Sequence, residues 1–336
     1  MEKNKSASSY KFGTGFANAI KSQLGILIAL LVMAVFLSIA SPSFLSSRNL
    51  FNVLRQIAVN VFLACGMTNV IILGGIDLSV GAVIALSGCT CASLIEKAGM
   101  PALLAILIGI ALGVVVGAIN GLIISTTTIP PFIVTLATMN ITRGLARVMV
   151  NNKTVSVSDP VYQFIGTGYV GPVPVHVFFI VIVVVITSIV LNRTRYGRSI
   201  YAVGGNRMAA EYAGVNSKKI IFFVFMLNGL LAGCAGILSS SRTMVGQYSL
   251  GDGAEMDAIT AVVLGGTSMA GGVGNIGGTV IGCIIVGILK NGMNLLGIDS
   301  SWQYVVQGLV VLLAVYLDFI KKAGLFSFKG SKKAKS

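Results

Sequence analysis

The sequence predicts an all-α polytopic membrane protein with about ten transmembrane helices, glycine-rich broken or re-entrant segments, and both termini in the cytoplasm. Of its 336 residues, 55% are hydrophobic and only 10% are charged. A soluble domain has about 25% charged residues, so this chain cannot cover a water-facing surface. Apolar runs of about 20 residues recur along it, and each is long enough to cross a hydrocarbon core about 30 Å thick.

The apolar runs define one membrane domain between two basic tails. Residues 1–21 are the cytoplasmic N-terminal tail, residues 22–320 the transmembrane domain, and residues 321–336 the cytoplasmic C-terminal tail. The predicted spans are residues 22–41, 52–73, 79–96, 101–125, 131–150, 175–191, 218–240, 257–273, 276–296 and 302–320. An even number of spans places both ends of the chain on the same side of the membrane.

Basic residues predict which side that is. The formal net charge is +14, and lysines and arginines cluster in both tails and in the polar interval 192–217. Loops rich in lysine and arginine stay in the cytoplasm, which places both tails and this interval there. Because the positive charge flanks membrane spans, it indicates topology and not nucleic-acid binding.

Signatures of enzyme chemistry are missing from the sequence. It contains no Gly-Lys dipeptide, which excludes a Walker A loop and nucleotide hydrolysis by this chain. The single histidine, His176, excludes an H-E-x-x-H zinc site. The five cysteines all lie in apolar segments, where small packing residues are expected. We therefore expect no catalytic residue, metal site or cofactor on this chain.

Glycines predict both close helix packing and interrupted helices. Gly109, Gly113, Gly117 and Gly121 recur at every fourth position, which on a helix makes one groove that a neighbouring backbone can approach. The run GGVGNIGG at residues 271–278 predicts non-helical backbone at a membrane junction. Such backbone is tolerated only where protein or a water-filled cavity satisfies its polar groups.

One aspartate lies inside the most apolar part of the chain. Asp77 is the only charged residue within residues 56–95, and a carboxylate in hydrocarbon is costly. Gly74 and Gly75 lie near the middle of this interval and predict that one helix ends there. The next helix then begins after Asp77 or Ser79, whose side chains act as N-caps. The alternative is a polar group that lines a solute path or holds two helices together.

Two further acids pose the same question. Glu255 and Asp257 lie at the start of the eighth predicted span, where acidic side chains suit the positive end of the helix dipole. Capping is the simpler interpretation, and a place on a solute path is the alternative.

Four motifs occur in order along the chain: GGIDLSVG (Gly74–Gly81), TLATMNITRGLA (Thr135–Ala146), GGNRMAAEYAGV (Gly204–Val215) and GAEMDAITAVVLGGTSMAGGVGNIGGT (Gly253–Thr279). Together they resemble the permease subunits of bacterial ABC sugar importers of the ribose, xylose and galactoside type, and they look closest to ribose-type permeases. The resemblance runs from about residue 24 to residue 318, which is nearly the whole chain.

This resemblance implies a function and a set of partners. Two copies of the permease would form a path that carries a monosaccharide, ribose or a similar sugar, into the cytoplasm by alternating access. A cytoplasmic ATPase with two cassettes would bind ATP and Mg, and an extracytoplasmic binding protein would deliver the sugar. The chain would lie in the bacterial cytoplasmic (inner) membrane, in contact with lipid.

The resemblance also implies roles for particular residues. Positions in the interval 192–217 match the family's cytoplasmic coupling segment, which docks on the ATPase: Gly204, Gly205, Asn206, Ala209, Ala210, Gly214 and Val215. A neutral sugar needs few charged partners, so uncharged polar side chains within the spans are candidates for its path: Asn60, Thr68, Asn69, Asn140 and Asn228. The same side chains serve equally well as contacts between helices.

Two other classes of membrane protein stay open at this point. A secondary transporter driven by protons or sodium would use Asp77 as its coupling carboxylate. A channel or a structural membrane scaffold would need no ATPase. Uptake that ignores ATP depletion but stops with an uncoupler would identify the first class. Failure to recover any ATPase partner would favour the second.

Overall fold

Helices make up most of the structure. The computed structural model describes residues 27, 28 and 30–322, with side chains described as far as residue 316. The predicted tail 1–21 and residues 323–336 lie outside this description. The helices are α1 (Leu30–Ala40), α2 (Ser47–Ile72), α3 (Val80–Glu96), α4 (Ala102–Thr126), α5 (Pro131–Met149), α6 (Pro160–Thr167), α7 (Val175–Arg193), α8 (Arg195–Gly205), α9 (Arg207–Tyr212), α10 (Ser217–Thr243), α11 (Ala254–Leu264), α12 (Ile276–Leu295) and α13 (Ser300–Lys322). The short strands are β1 (Val155–Ser156), β2 (Tyr169–Val170), β3 (Val173–Pro174) and β4 (Val245–Gly246).

Several of these helices are suited to a bilayer. By length and composition, α2, α4, α7, α10 and α12 can each cross a membrane, while α1, α3 and α13 carry shorter apolar stretches. Leucine, isoleucine and valine side chains are exposed along α4 and α7, as expected for surfaces that lipid covers. The chain is therefore a polytopic helical membrane protein, as the composition predicts. The total number of spans and the cytoplasmic location of the termini stay predictions.

The predicted eighth span, residues 257–273, is wrong. Helix α11 has only 11 residues, which gives a length of about 16 Å and cannot cross a core of about 30 Å. It ends where Gly265 is followed by Gly266, whose φ is +89°, and the chain stays non-helical as far as Asn275. Apolar composition suggested a full span, but paired glycines end the helix halfway.

Short elements fill the connections at two opposite ends of the bundle. At one end, β1 pairs antiparallel with β4, and β2 and β3 form a hairpin after α6. At the other end, α8 and α9 occupy the interval 192–217. Helix α10, of 27 residues and about 40 Å in length, begins directly after α9 and ends beside β4. The two groups of short elements therefore lie on opposite sides of the membrane domain.

The centre of the bundle is the contact between α4 and α10, and the predicted glycine groove forms it. A methyl group on Gly117 would lie 2.9 Å from the Cα of Gly229, and one on Gly113 would lie 2.9 Å from the Cα of Gly233. Such distances are too short for any side chain, so glycine on both helices allows their backbones to touch. Helix α10 also packs on α2 and α3, which places its middle in the protein core.

Candidate functional site

The predicted helix break between the second and third spans is present. Helix α2 ends at Ile72, and α3 begins at Val80. Gly74 has a φ of +80°, a conformation that glycine adopts readily and other residues rarely do. A methyl group on Gly75 would lie 3.5 Å from the ring of Phe225 on α10. Gly75 is therefore buried against α10, whereas Gly74 is exposed.

Asp77 lies in this break and is only 1% exposed. Its Oδ1 accepts hydrogen bonds from the backbone N–H of Ser79 at 2.9 Å and from the Ser79 hydroxyl at 2.6 Å. Its Oδ2 accepts a hydrogen bond of 2.8 Å from the Nδ2 of Asn228 on α10. Buried carboxylates need such partners, and here they are supplied by the connection itself and by a distant helix.

Ser79 precedes α3, as predicted, but its side chain makes no capping hydrogen bond. Its hydroxyl instead donates to Asp77 and accepts a hydrogen bond of 3.0 Å from the Nδ2 of Asn120 on α4. The interpretation of Ser79 as a side-chain cap is therefore wrong. Asp77, Ser79, Asn120 and Asn228 form one polar cluster, which we call the Asp77 network, and it joins α3 to α4 and α10.

Most of the side chains proposed for the sugar path lie in the protein core. The four buried ones are Asn60, Thr68, Asn69 and Asn228, each no more than 6% exposed. Thr68 shares a hydrogen bond of 2.8 Å with Thr279 of α12, and Asn69 donates to the carbonyl oxygen of Cys65 at 2.9 Å. In this conformation Thr68 and Asn69 make contacts between and within helices.

Asn140 differs from the other four candidates. It lies in the middle of α5, and its side chain is exposed. Its Nδ2 donates to the carbonyl oxygen of Leu136 at 3.2 Å, so part of its polarity is satisfied within the helix. The small residues Ala137 and Gly144 are exposed on the same helix. An amide at this depth is expected to face a partner chain or a water-filled path and not lipid.

The predicted coupling segment forms two short helices. Asn206 lies between α8 and α9, and its Oδ1 accepts a hydrogen bond of 3.0 Å from the N–H of Ala209, which caps α9. Gly214 follows α9 with a φ of +84°. Ala209 is exposed, whereas Ala210 is 5% exposed and faces the protein. Gly205 is exposed, and Val215 is half-buried.

Sequence reasoning missed the largest apolar side chains on α9. Met208 is 69% exposed and Tyr212 is 92% exposed. They lie four residues apart, which places them on one face of the helix. The signal in the sequence was a pair of large apolar residues within an otherwise polar and basic interval. Such exposed side chains at the end of a membrane domain indicate a contact surface for another protein.

Helix α9 is also fixed to the start of α10. Glu211 accepts hydrogen bonds from the hydroxyl of Ser217 and, at 3.0 Å, from the Nε of Arg207. The Ser217 hydrogen bond, together with Arg207, lowers the pKa of the exposed Glu211 carboxyl below its ordinary value. The carboxylate is therefore ionised at neutral pH, and α9 and α10 are linked through it.

Helix α8 contacts both helix breaks of the membrane domain. A methyl group on Gly204 would meet the carbonyl oxygen of Ile72 and would lie 3.0 Å from the nitrogen of Gly272. The N–H of Gly272 donates to the same Ile72 oxygen at 2.8 Å, and the Tyr201 hydroxyl donates to the carbonyl oxygen of Gly274 at 2.6 Å. We call this contact of residues 72–75, 204 and 271–274 the glycine junction.

A cavity of about 220 Å³ opens beside the glycine junction. Gly74 and Gly75 line one wall, residues 127–131 between α4 and α5 line a second, and Val203 and Arg207 line a third. The coupling segment and the break that holds Asp77 therefore border the same space.

The two acids of α11 lie in its first turn, as predicted. Asp257 is 4% exposed and forms an ion pair with Lys290 of α12. Its Oδ1 also accepts a hydrogen bond of 2.6 Å from the Nε2 of Gln307 on α13. Asp257 therefore connects three helices. Glu255 is half-buried, and its Oε2 has no hydrogen-bond partner among the described residues.

In the part of the chain whose side chains are described, no group of three or more His, Cys, Asp or Glu residues is placed to hold a metal ion.

Comparison with known proteins gives consistent matches. The model of a family described as branched-chain amino acid transport system / permease component matches residues 49–315. The ribose import permease protein RbsC of Bacillus subtilis is 46% identical over 91% of this chain and 95% of its own length. The ribose import permease of Escherichia coli K12 is 44% identical over 87% of this chain and 92% of its own length. The D-allose transport system permease protein of the same strain is 38% identical over 92% of this chain and 91% of its own length. No solved structure matches the chain.

Proposed function

The chain belongs to the family of permease components of branched-chain amino acid transport systems, and we propose that it is the permease of an ABC importer that moves ribose or a similar monosaccharide into the cytoplasm. The observation that carries this function is the 46% identity to a ribose import permease over nearly the full length of both chains. The multi-pass helical structure fits a place in the inner membrane.

A permease of this kind works with other proteins. A separate ATPase hydrolyses ATP, and a binding protein on the outer side of the membrane delivers the sugar. We further propose that two copies of the chain pair in the membrane, in contact with lipid, and that the ATPase carries two cassettes and binds all the ATP and Mg. The coupling segment, residues 192–217, and both basic tails would then lie in the cytoplasm, and no cofactor would bind to this chain.

Of the five uncharged polar residues predicted for the sugar path, we propose Asn140 as the one that lines it. Its exposed amide in the middle of α5 supports this role, because an amide facing hydrocarbon is unfavourable. The exposed small residues Ala137 and Gly144 would let a second copy approach closely. The face of α5 would then line the path between the two copies.

A secondary transporter is the less favoured alternative. It would need Asp77 to exchange a proton or sodium ion with water. The carboxylate of Asp77 is 1% exposed and is fully used by Ser79 and Asn228, which supports a structural role for it.

The function is tested by uptake into proteoliposomes. The permease is reconstituted with its ATPase so that the ATPase faces the lumen, and the binding protein and labelled ribose are supplied outside. We expect uptake only with ATP inside the liposomes, and no loss when an uncoupler is added. Uptake that stops with the uncoupler and does not need ATP would contradict an ABC importer.

The contact with the ATPase is tested through Tyr212. We expect Tyr212→Glu to reduce the amount of ATPase that copurifies with the permease by about tenfold, because it places a charge where a large apolar contact is buried. The measurement is the ratio of the two proteins after affinity purification in mild detergent. The yield of the permease itself should not change, since Tyr212 is 92% exposed.

The matched control is Phe164→Glu. Phe164 is an aromatic residue of α6 that is 51% exposed, and α6 lies at the end of the bundle opposite α9. This variant should copurify with the ATPase in the normal ratio. Equal losses in both variants would show a general effect on assembly, and no loss with Tyr212→Glu would place the ATPase contact elsewhere.

A further inference from the structure

A groove of about 600 Å³ runs between α11 and α13. Its walls are formed by Asp252, Gly253, Glu255 and Met256 on one side and by Tyr304, Gln307, Gly308 and Val311 on the other. Its volume falls within the roughly 300–1,000 Å³ of typical small-molecule sites. Helix α11 begins soon after the end of α10 that lies farthest from α9, so the groove opens at the end of the bundle opposite the coupling segment.

The lining of the groove carries the groups that bind sugar hydroxyls. Asp252 presents a carboxylate that is 64% exposed. A connected recess of about 120 Å³ shares Asp252, Tyr304 and Gln307 with the groove and adds Lys290, Ser300 and Gln303. Carboxylate and amide groups can each accept or donate more than one hydrogen bond, as the neighbouring hydroxyls of a sugar require. The Tyr304 side chain is 58% exposed and offers an aromatic face to the C–H side of a sugar ring.

Contacts behind the groove hold these groups in place. The Nε2 of Gln307 donates to the carbonyl oxygen of Gly253 at 3.2 Å and to Asp257 at 2.6 Å. Asp257 also pairs with Lys290. Gly253 has a φ of +73°, and a methyl group there would lie 3.5 Å from the Tyr304 ring. The Gln307 amide is therefore held in place before any ligand arrives, which reduces the entropic cost of binding.

The charges favour a neutral ligand. Asp252 is paired at 3.3 Å with Arg143 of α5, which also donates to the carbonyl oxygens of Tyr248 and Leu250. Asp257 is paired with Lys290. Asp252, which lines the groove, and Asp257, which lies behind it, therefore have basic partners, whereas the Oε2 of Glu255, also in the lining, has no hydrogen-bond partner among the described residues. At Asp252 an inorganic ion would have to displace the ion pair with Arg143, whereas a hydroxyl group can add to that pair as it stands.

We propose that this groove is a binding subsite for the monosaccharide, in which sugar hydroxyls bond to Asp252 and Gln307 and the apolar face of the ring lies against Tyr304. The inference rests on the proposed function, because it takes the groove to open on the side from which sugar arrives. It assigns sugar contacts to α13 and to the start of α11. None of the five uncharged polar residues predicted for the sugar path lies on these two helices.

Saturation-transfer NMR with ribose tests the subsite on the purified permease–ATPase complex without the binding protein. We expect transfer to the C–H protons of ribose with the unchanged complex, and about a fivefold weaker transfer with Tyr304→Ala, since the ring contact is lost. Tyr304→Phe should retain most of the signal because it keeps the aromatic face. Xylitol, an acyclic polyol, should give weaker transfer than ribose in the unchanged complex.

The matched control is Trp302→Ala. Trp302 lies on the same helix, is 65% exposed, and is absent from the groove lining. Its variant should give the signal of the unchanged complex. The proposal is overturned if Tyr304→Ala and Trp302→Ala give equal signals, or if the unchanged complex gives none. ATP-driven ribose uptake by the same preparation separates the two failures. Uptake without saturation transfer would contradict the subsite alone, and a lack of uptake would contradict the proposed function.

Discussion

Asp77→Ala is expected to prevent the permease from accumulating as a folded protein. The substitution removes the acceptor for the Ser79 N–H, the Ser79 hydroxyl and the Asn228 amide. Each buried group left without a partner costs about 1–3 kcal/mol. Their sum is a large part of the roughly 5–15 kcal/mol by which a typical domain is stable. The loss is also shared among α3, α4 and α10, which the Asp77 network joins.

Asp77→Asn is expected to retain most of the folded protein and substantial transport. The asparagine oxygen still accepts both hydrogen bonds from Ser79, but its amide then faces the amide of Asn228. The Oδ1 of Asn228 has no partner among the described residues. Rotation of the Asn228 side-chain amide by about 180° exchanges its oxygen and nitrogen. The oxygen then accepts a hydrogen bond from Asn at position 77, and the network is restored.

A double-mutant cycle measures this pairing. Asn228→Asp alone places two carboxylates against each other and should lower the yield and the midpoint of thermal unfolding in detergent. Asp77→Asn combined with Asn228→Asp restores a donor–acceptor pair and should recover both. Normal folding of Asp77→Ala would show that the network is not structural. Normal assembly of Asp77→Asn with complete loss of uptake would instead support an ion-coupled transporter.

The sequence predicts the helix break at Asp77 but not the partners that stabilise it. Paired glycines within a long apolar interval are a local signal, and the end of α2 and the start of α3 follow from it. The hydrogen bond to Asn228 joins residues 151 positions apart. No local pattern indicates which of the polar residues in distant helices will meet, because that depends on how the helices pack.

The polar residues of the spans show the same limit. Asn69 and Asn140 are both asparagines in apolar helices, and the sequence gives them equal claims to the sugar path. Helix packing separates them, because α2 is enclosed by other helices while one face of α5 is left open. The groove between α11 and α13 was missed for a related reason. Glu255, one of its charged members, suits the start of a helix by local pattern alone, and the groove itself exists only because α13 packs beside the start of α11.

Gly204→Ala is expected to uncouple ATP hydrolysis from sugar uptake. The added methyl group meets the carbonyl oxygen of Ile72 and lies 3.0 Å from the nitrogen of Gly272. Both neighbours are backbone atoms that hydrogen-bond to each other at 2.8 Å, so neither can move without disturbing both helix breaks. Overpacking of this kind costs about 1–3 kcal/mol, and moving α8 away from the glycine junction is the way to relieve it.

Displacement of α8 should affect transport more than assembly. Met208 and Tyr212, the proposed ATPase contacts, lie on α9 and face away from the junction, so the ATPase should still copurify. Movement of the coupling segment would no longer reach the α2–α3 break or residues 271–274. We expect ribose uptake to fall by about tenfold, which corresponds to about 1.4 kcal/mol, while ATP hydrolysis continues. The measurement is the number of sugars taken up per ATP hydrolysed in proteoliposomes.

Gly205→Ala is the matched control, because it adds the same methyl group one residue further along α8. Apart from its own helix, no atom of the described structure lies within 4 Å of that position, so the glycine junction should stay intact and the ratio of uptake to hydrolysis should stay normal. Because Gly205 belongs to the coupling segment, both variants are compared at equal amounts of copurified ATPase. Helix propensity is the same in both variants, since each replaces a glycine at the end of α8 with alanine. A difference between them therefore reports on the contact with Ile72 and Gly272. Equal uptake in the two variants would show that α8 does not transmit movement through the glycine junction.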